Sequence, residues 1–350
     1  MSAALPSSAM LRAADRSEGV WLSAWRRFKS DRVGLVSLAI VIAFLLLIAL
    51  SALGLVAGNW QREVGVPYAN PTFLGPTPPP PAAQIEEGKG PPVDISTVDP
   101  LAPRYAEWAE RASKLKVDEE VRDNMLPLGG DRLGRDVLAK AIKGAEISIF
   151  VGVLAALLAT AIGTALGAVS GFLGGRVGDL LEWVYNVFTS IPGILLIFAF
   201  AAVFGRGTGT VVLILGLTGW TGIYRLVRAE FLKHAVRDYV RAAEAIGASV
   251  GSRMFRHILP NVSHVVLVQL SILTVGFIKA EVILSYLGLG VSIDQVSWGT
   301  MLAESQVELL LGHWWQLATA TVFMAVFVTA FSLFTDALRD ALDPKLRGLE

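Results

Sequence analysis

Long uncharged apolar runs recur along the chain, separated by charged segments. A helix needs roughly 20 apolar residues to cross the hydrocarbon core. Gly34–Gly58, "GLVSLAIVIAFLLLIALSALGLVAG", is the first such run, Ile147–Gly175 the second, Trp183–Gly205 the third and the short Gly207–Tyr224 the fourth. The fifth starts at Ile258 and continues past Lys279 and Glu281 to about Gly290, and the sixth covers Leu309–Thr335, interrupted only by His313 and Gln316. The pattern predicts an all-α integral membrane protein with six transmembrane helices. About 33 polar-rich residues precede the first run, which is also too long for the apolar core of a cleavable signal.

Lysine and arginine set the expected orientation. They crowd the N-terminal tail, the segment after the fourth run and the C-terminal tail, whereas 288–312 has none. The positive-inside rule then puts both termini and the segment after the fourth run in the cytoplasm. The expected organisation is a cytoplasmic tail (1–33), a first span (34–58), an external loop (59–146), a five-helix core (147–338) carrying a cytoplasmic loop at 225–262, and a cytoplasmic tail (339–350). The external loop divides in two. Residues 71–92, with "PTPPPP", predict extended chain, and 99–125 predict a helix that Asp99 caps and Pro100 starts. That loop reads equally as a surface spacer or as a partner-docking element.

Within the second run, Ala155, Ala159, Gly163, Gly167 and Gly171 recur every fourth position, a stripe on which another helix can approach closely. Pro192-Gly193 inside the third run predicts a kink. Lys279 and Glu281 have two readings: contacts on a transport pathway with Pro192, or interfacial charges on a span that ends at Ile278. Trp314 and Trp315 read as interfacial anchors.

Composition supports the membrane assignment and narrows the chemistry. Charged residues make up 17% of the 350, against about 25% in soluble domains. The formal net charge is zero, which argues against a nucleic-acid partner. The absence of cysteine excludes disulfides, thiolate metal sites and a cysteine nucleophile.

The segment "RAAEAIGASVGSRMFRHILP" (241–260) is the most informative stretch. Ala242, Ala243, Ile246 and Gly247 fall on one helical face, Gly247 can end that helix in the left-handed conformation, and a second helix can run from Ser249 to Leu259. Pro260 predicts a break before the fifth span. Three functions compete. A DNA-binding helix-turn-helix is disfavoured by the tether between two spans. A "GASVG" nucleophile elbow, the mark of an intramembrane serine hydrolase, lacks its preceding strand and an acid partner. A docking unit for a partner protein meets neither objection.

This segment resembles the "EAA" loop of inner-membrane permeases of ATP-binding-cassette (ABC) importers, carried by Ala242, Ala243, Gly247, Leu259 and Pro260, with Arg241 in place of the glutamate and His257 in place of an aliphatic residue. "LGGDRLGRDVLAKAIKGAEISI" (128–149), with Gly130 where threonine is common, "SYLGLGV", "SWGTML" and "DALRDALDPKLR" resemble the peptide/nickel/opine branch of that family, in particular the C-type subunit of dipeptide and oligopeptide permeases. The resemblance covers most of 128–347 and "WRRFKSDRVGLVSLAI" before the first span, but not 59–125. It implies the type I importer permease architecture in a bacterial inner membrane. It also implies a second homologous permease subunit, two ABC ATPase subunits on the cytoplasmic loops, an extracytoplasmic solute-binding protein, and ATP and Mg in the partner subunits alone. The residues agree with that last point, because no G-x-x-x-x-G-K-[ST] phosphate loop occurs and "EEGKG" (86–90) lacks the first glycine and the hydroxyl. The alternative from another class is a stand-alone ion-coupled carrier, which would favour internal repeats and buried titratable groups.

Overall fold

A computed structural model describes residues 20–78, 99–114 and 121–342. The chain divides into two units, one formed by the N-terminal segment to Gln61 with Val137–Glu350, the other by Arg62–Asp136.

The first unit is helical. An amphipathic helix α1 (Val20–Ser30) leads into α2 (Arg32–Ala52), whose N-terminus is capped by Asp31 accepting from the Val33 N–H. In the second unit, β1 (Gly65–Pro71), α3 (Tyr105–Lys114) and β2 (Asp123–Leu126) follow in order, and β1 pairs with β2 in parallel. Helix α4 (Val137–Leu173) then returns to the first unit. It is followed by α5 (Gly175–Ser190), α6 (Gly193–Phe204), α7 (Thr208–Thr218), α8 (Thr221–Ala235) and α9 (Asp238–Ala245). Helix α10 (Val250–Tyr286), α11 (Trp298–Leu310) and α12 (Trp315–Leu342) complete the chain. Among the described residues, five helical stretches are long and apolar enough to cross a membrane: α2, α4, α7 with α8, α10 and α12. The pair α5–α6, bent by 84° at Ile191-Pro192, makes a sixth when counted as one span. The predicted kink is therefore a break: Pro192 has no N–H to continue the ladder and sits at the N-cap of α6.

Helix α4 is the hub, packing against α8, α10 and α7. Its small residues explain why. A Cβ on Gly163 would meet the Ile223 side chain and lie 2.6 Å from the Trp220 carbonyl oxygen. On Gly167 it would lie 2.7 Å from the Tyr224 carbonyl oxygen, and on Gly171 2.5 Å from that of Arg228. Three successive turns of α4 thus press on the backbone of α8. Ala155 and Ala159, further along the same stripe, are buried with Val211, Ile214 and Leu215 of α7.

Several sequence expectations need correction. The second span begins at Val137 rather than Ile147, because Lys140, Lys143 and Glu146 are inside the helix and partnered: Lys140 pairs with Glu304 at 2.6 Å and Lys143 with Glu146 at 2.8 Å. Charge marked the end of the apolar run, not of the helix. The first span ends at Ala52 rather than Gly58. The sixth apolar run joined two elements. Leu309 and Leu310 end α11, Gly312 turns the chain at φ +91°, and α12 starts at Trp315 and runs beyond Thr335 to Leu342. Trp315 is buried, with 4% exposure, so only Trp314 of the expected pair is placed as an anchor would be.

The predicted helix over 99–125 is also only part of the outcome. Asp99 accepts from the Tyr105 hydroxyl and from the Leu101 N–H at 2.9 Å, which in that order hold its carboxyl below the usual range. Helix α3 stops at Lys114, and 123–126 form a strand, so the chain is not helical throughout. The Pro-rich "PTPPPP" and "EEGKG" lie largely or wholly outside the described residues. Asp131 organises the turn before α4, accepting from the N–H groups of Leu133 and Arg135 and from the Arg135 Nε at 2.6 Å.

Candidate docking site

The loop at 225–262 forms a compact two-helix unit. Helix α9 ends in a Schellman motif: the Gly247 N–H donates to the Glu244 carbonyl and the Ala248 N–H to the Ala243 carbonyl, both at 2.9 Å. This closure needs a left-handed residue, and Gly247 supplies φ +86°. Two residues later Ser249 caps α10, its side chain accepting from the Ser252 N–H. A glycine turn between two helices, as the spacing predicts, is what forms.

The predicted break at Pro260 is absent. Helix α10 runs unbroken from Val250 to Tyr286, with a π-helical stretch at Arg253–Ile258. The Leu259 N–H donates to Met254, five residues back, and the Asn261 side-chain amide donates to the His257 carbonyl at 2.7 Å. The wider turn accommodates a proline that would otherwise leave a carbonyl unmatched. Leu259 packs on a core cluster, His257 is half-buried and Pro260 exposed.

The faces of α9 also differ from the sequence reading. Ala243 is buried with Val240, whereas Ala242 and Ile246 point outward. Ile246 is 86% exposed beside the glycine turn. Arg241 is exposed and has no ion-pair partner among the described residues. Val236, Tyr239 and Val250 are also exposed, so the unit offers an apolar tip ringed by charge. Although Tyr239 is partly exposed, the desolvation of its hydroxyl end raises its pKa above the ordinary value, so it stays protonated 2.8 Å from the His234 ring.

Underneath, the unit is bolted to the spans. Val240, Met254 and Ile258 share one core cluster with Ala168 of α4, Ile223, Val227 and Phe231 of α8, and Val262. Arg253, on α10, pairs with Glu244 on α9 at 2.6 Å and lies 5.4 Å over the Phe172 ring at the end of α4. A second polar tie joins α4, α5 and α8. Arg228 binds Glu182 at 3.2 Å and Ser170 at 3.1 Å, and Tyr224 donates to Ser170 at 3.0 Å. The protrusion is thereby fixed to α4, α8 and α10 by both apolar and polar contacts. In the sequence Arg228 and Arg253 count only as cytoplasmic basic residues that set orientation, and Glu182 goes unremarked; their ties to other helices join residues distant in the chain.

The proposed pathway residues do not converge. Helix α10 continues past Ile278 to Tyr286, so Lys279 and Glu281 both lie within it. Lys279 is exposed on one side, while Glu281 has 0% exposure on the other. The Ser285 hydroxyl donates to Glu281 at 2.6 Å, with the Ser148 and Ser297 hydroxyls beside it. Glu281 therefore joins α10, α4 and the cap of α11 inside the subunit. Pro192 is exposed at the bend between α5 and α6, away from that cluster.

The described residues thus form a bundle of apolar spans with a two-helix protrusion fixed to it, and among them no His/Cys/Asp/Glu group is placed to hold a metal. The profile of the binding-protein-dependent transport system inner membrane component family matches residues 163–348, and that of the N-terminal transmembrane domain of oligopeptide transport permease C matches 19–70. The chain belongs to the first of these families, as a multi-pass inner-membrane permease subunit of the ABC-importer class rather than a stand-alone carrier. It is 38% identical to the dipeptide transport system permease protein DppC of Bacillus subtilis over 219 residues, 63% of this chain and 68% of that one. It is 30% identical to the DppC of Lactococcus lactis over 92% of this chain and 90% of that one. It is 39% identical to the oligopeptide permease OppC of Salmonella typhimurium over 63% of this chain and 72% of that one. Among solved structures, the MetNI methionine ABC transporter in inward-facing conformations aligns with a TM-score of 0.48 and 16% identity, covering 58% of this chain and 96% of that one.

Proposed function

We propose that this chain is the C-type permease subunit of an ATP-driven importer of di- or oligopeptides, with both termini cytoplasmic. The cargo class rests on its likeness to dipeptide and oligopeptide permeases. The partners are a second homologous permease subunit, two ABC ATPase subunits and an extracytoplasmic solute-binding protein, with ATP and Mg held by the ATPases. The observation that carries the reading is the tip at Ala242, Ile246 and Gly247, exposed above and fixed to α4, α8 and α10 below. Each ATPase would seat such a tip, and closure of the ATPase pair would move the spans with it. The stripe on α4 holds α8 in place so that the movement is not absorbed by slippage between helices.

The division of labour is testable on the purified chain. ATP hydrolysis is expected to be absent from the chain alone and to appear when the ATPase subunits are added. Hydrolysis that persists in a preparation shown by mass spectrometry to lack other ATPases overturns the reading.

A further inference from the structure

We propose that the cavity between the ends of α8, α10 and α12 is a binding site for one anionic phospholipid. The cavity, about 700 Å³, is lined entirely by these three helices and lies in the roughly 300–1,000 Å³ range of ligand sites. Its polarity changes with depth. Lys233 and His234 come from the last turn of α8, His264 from near the start of the α-helical part of α10, and Arg339 from the last turn of α12, so the charged groups form a rim at one end of the bundle. Leu226, Val268 and Ile272 line the wall further in. At 1.5 Å rise per residue, Leu226 lies about 10 Å deeper than Lys233, and Ile272 about 12 Å deeper than His264. A cationic rim over an apolar groove opening between spans matches a lipid, headgroup at the rim and acyl chain along the wall.

The rim has cationic capacity to spare. Its one carboxylate, Glu230, is engaged by Lys233 at 3.3 Å and approached by the His234 ring at 3.7 Å. Arg339 is exposed and has no ion-pair partner among the described residues, and His264 has no hydrogen-bond partner among them. A phosphate at the rim would give Arg339 a counter-ion, with Lys233 and His234 adding positive charge beside it. A bare inorganic anion would leave the apolar wall empty, which is why a lipid is the occupant proposed.

The site is at the end of the bundle that carries the docking unit, because α8 runs directly into α9 there. A lipid wedged among α8, α10 and α12 would hold together three helices that the docking unit has to move. The proposal goes beyond the transport reading and stands or falls separately from it, since lipid retention is read without ATP or cargo.

The test is native mass spectrometry of the full chain, and of its assembled complex, extracted in mild detergent from membranes containing phosphatidylglycerol and phosphatidylethanolamine. The expected result is one retained phosphatidylglycerol in both preparations, not displaced by millimolar inorganic phosphate. The double variant Lys233→Gln/Arg339→Gln is expected to retain about 25-fold less, from roughly fivefold per cation removed. Arg176→Gln removes an exposed charge from the start of α5, outside the cavity, and is expected to retain the lipid fully. Undiminished retention in the double variant, equal retention of the zwitterionic lipid, or displacement by phosphate each overturns the proposal. Lipid bound to the isolated chain but absent from the complex assigns the cavity to a partner chain and overturns it as well.

Discussion

Gly163→Leu is expected to remove most of the folded protein from the membrane. A Cβ at this position meets the Ile223 side chain and comes within 2.6 Å of the Trp220 carbonyl oxygen. The obstacle includes backbone, which cannot rotate away as a side-chain tip can. Helix α8 must then move off α4, and the contacts at Gly167 and Gly171 open with it. Overpacking a tight interior costs about 1–3 kcal/mol, and losing two neighbouring contacts places this substitution at the upper end or beyond. Gly222→Leu is the control, since a Cβ there meets nothing within 4 Å although the residue lies on the partner helix. The measurement is the yield of monodisperse protein by fluorescence-detected size exclusion. The expectation is at least a tenfold loss for Gly163→Leu and little loss for Gly222→Leu. Equal yields would show that the α4–α8 contact is not what holds these spans.

Gly247→Val is expected to abolish uptake while leaving the protein inserted and folded. A Cβ at Gly247 meets no atom within 4 Å, so the effect cannot come from a clash inside the chain. It comes from the backbone. The residue holds φ +86°, and a left-handed conformation costs a β-branched residue on the order of 1–3 kcal/mol. Relief of that strain breaks the Gly247 and Ala248 hydrogen bonds that close α9 and re-aims α9 against α10. The substitution series separates strain from bulk. Asparagine tolerates the left-handed region, so Gly247→Asn should keep much of the uptake that Gly247→Val loses, despite similar size. Peptide uptake and ATPase stimulation in reconstituted complex read the outcome. Equal activity of the two variants, at either level, would remove backbone geometry as the cause.

How far the sequence spoke depended on whether a feature was local. The Gly247 turn was legible because a left-handed C′ residue and a serine cap two positions on are set by neighbouring residues alone. The α4 stripe was legible because small residues at fixed spacing leave few alternatives. The start of α4 was not, because the partners of the buried Lys140 include Glu304 and Gln316, far away in the chain. The same holds for Glu281, whose serine neighbours come from α4, α10 and the turn before α11. The unbroken passage through Pro260 needed a π-helical turn, which has no sequence pattern of its own. The strands of the second unit were hidden because their pairing joins residues nearly sixty apart, Gly65 with Asp123, across a Pro-rich stretch.

Cysteine cross-linking from the exposed tip asks whether an ATPase seats on it, and because this chain has no native cysteine each introduced thiol is the only one it carries. Single cysteines would be placed at Ala242 and Ile246, both exposed on the tip, at Ala243, buried beneath it, and at Ala109 on the exposed α3. Each variant would be assembled with its partners and treated with a short thiol-to-amine cross-linker. Adducts to the ATPase subunits are expected from positions 242 and 246, with a yield that changes when ATP is bound, and none from 243 or 109. Adducts at equal yield from position 109, or none from 242 and 246 in a complex that still imports peptide, would contradict docking at the tip.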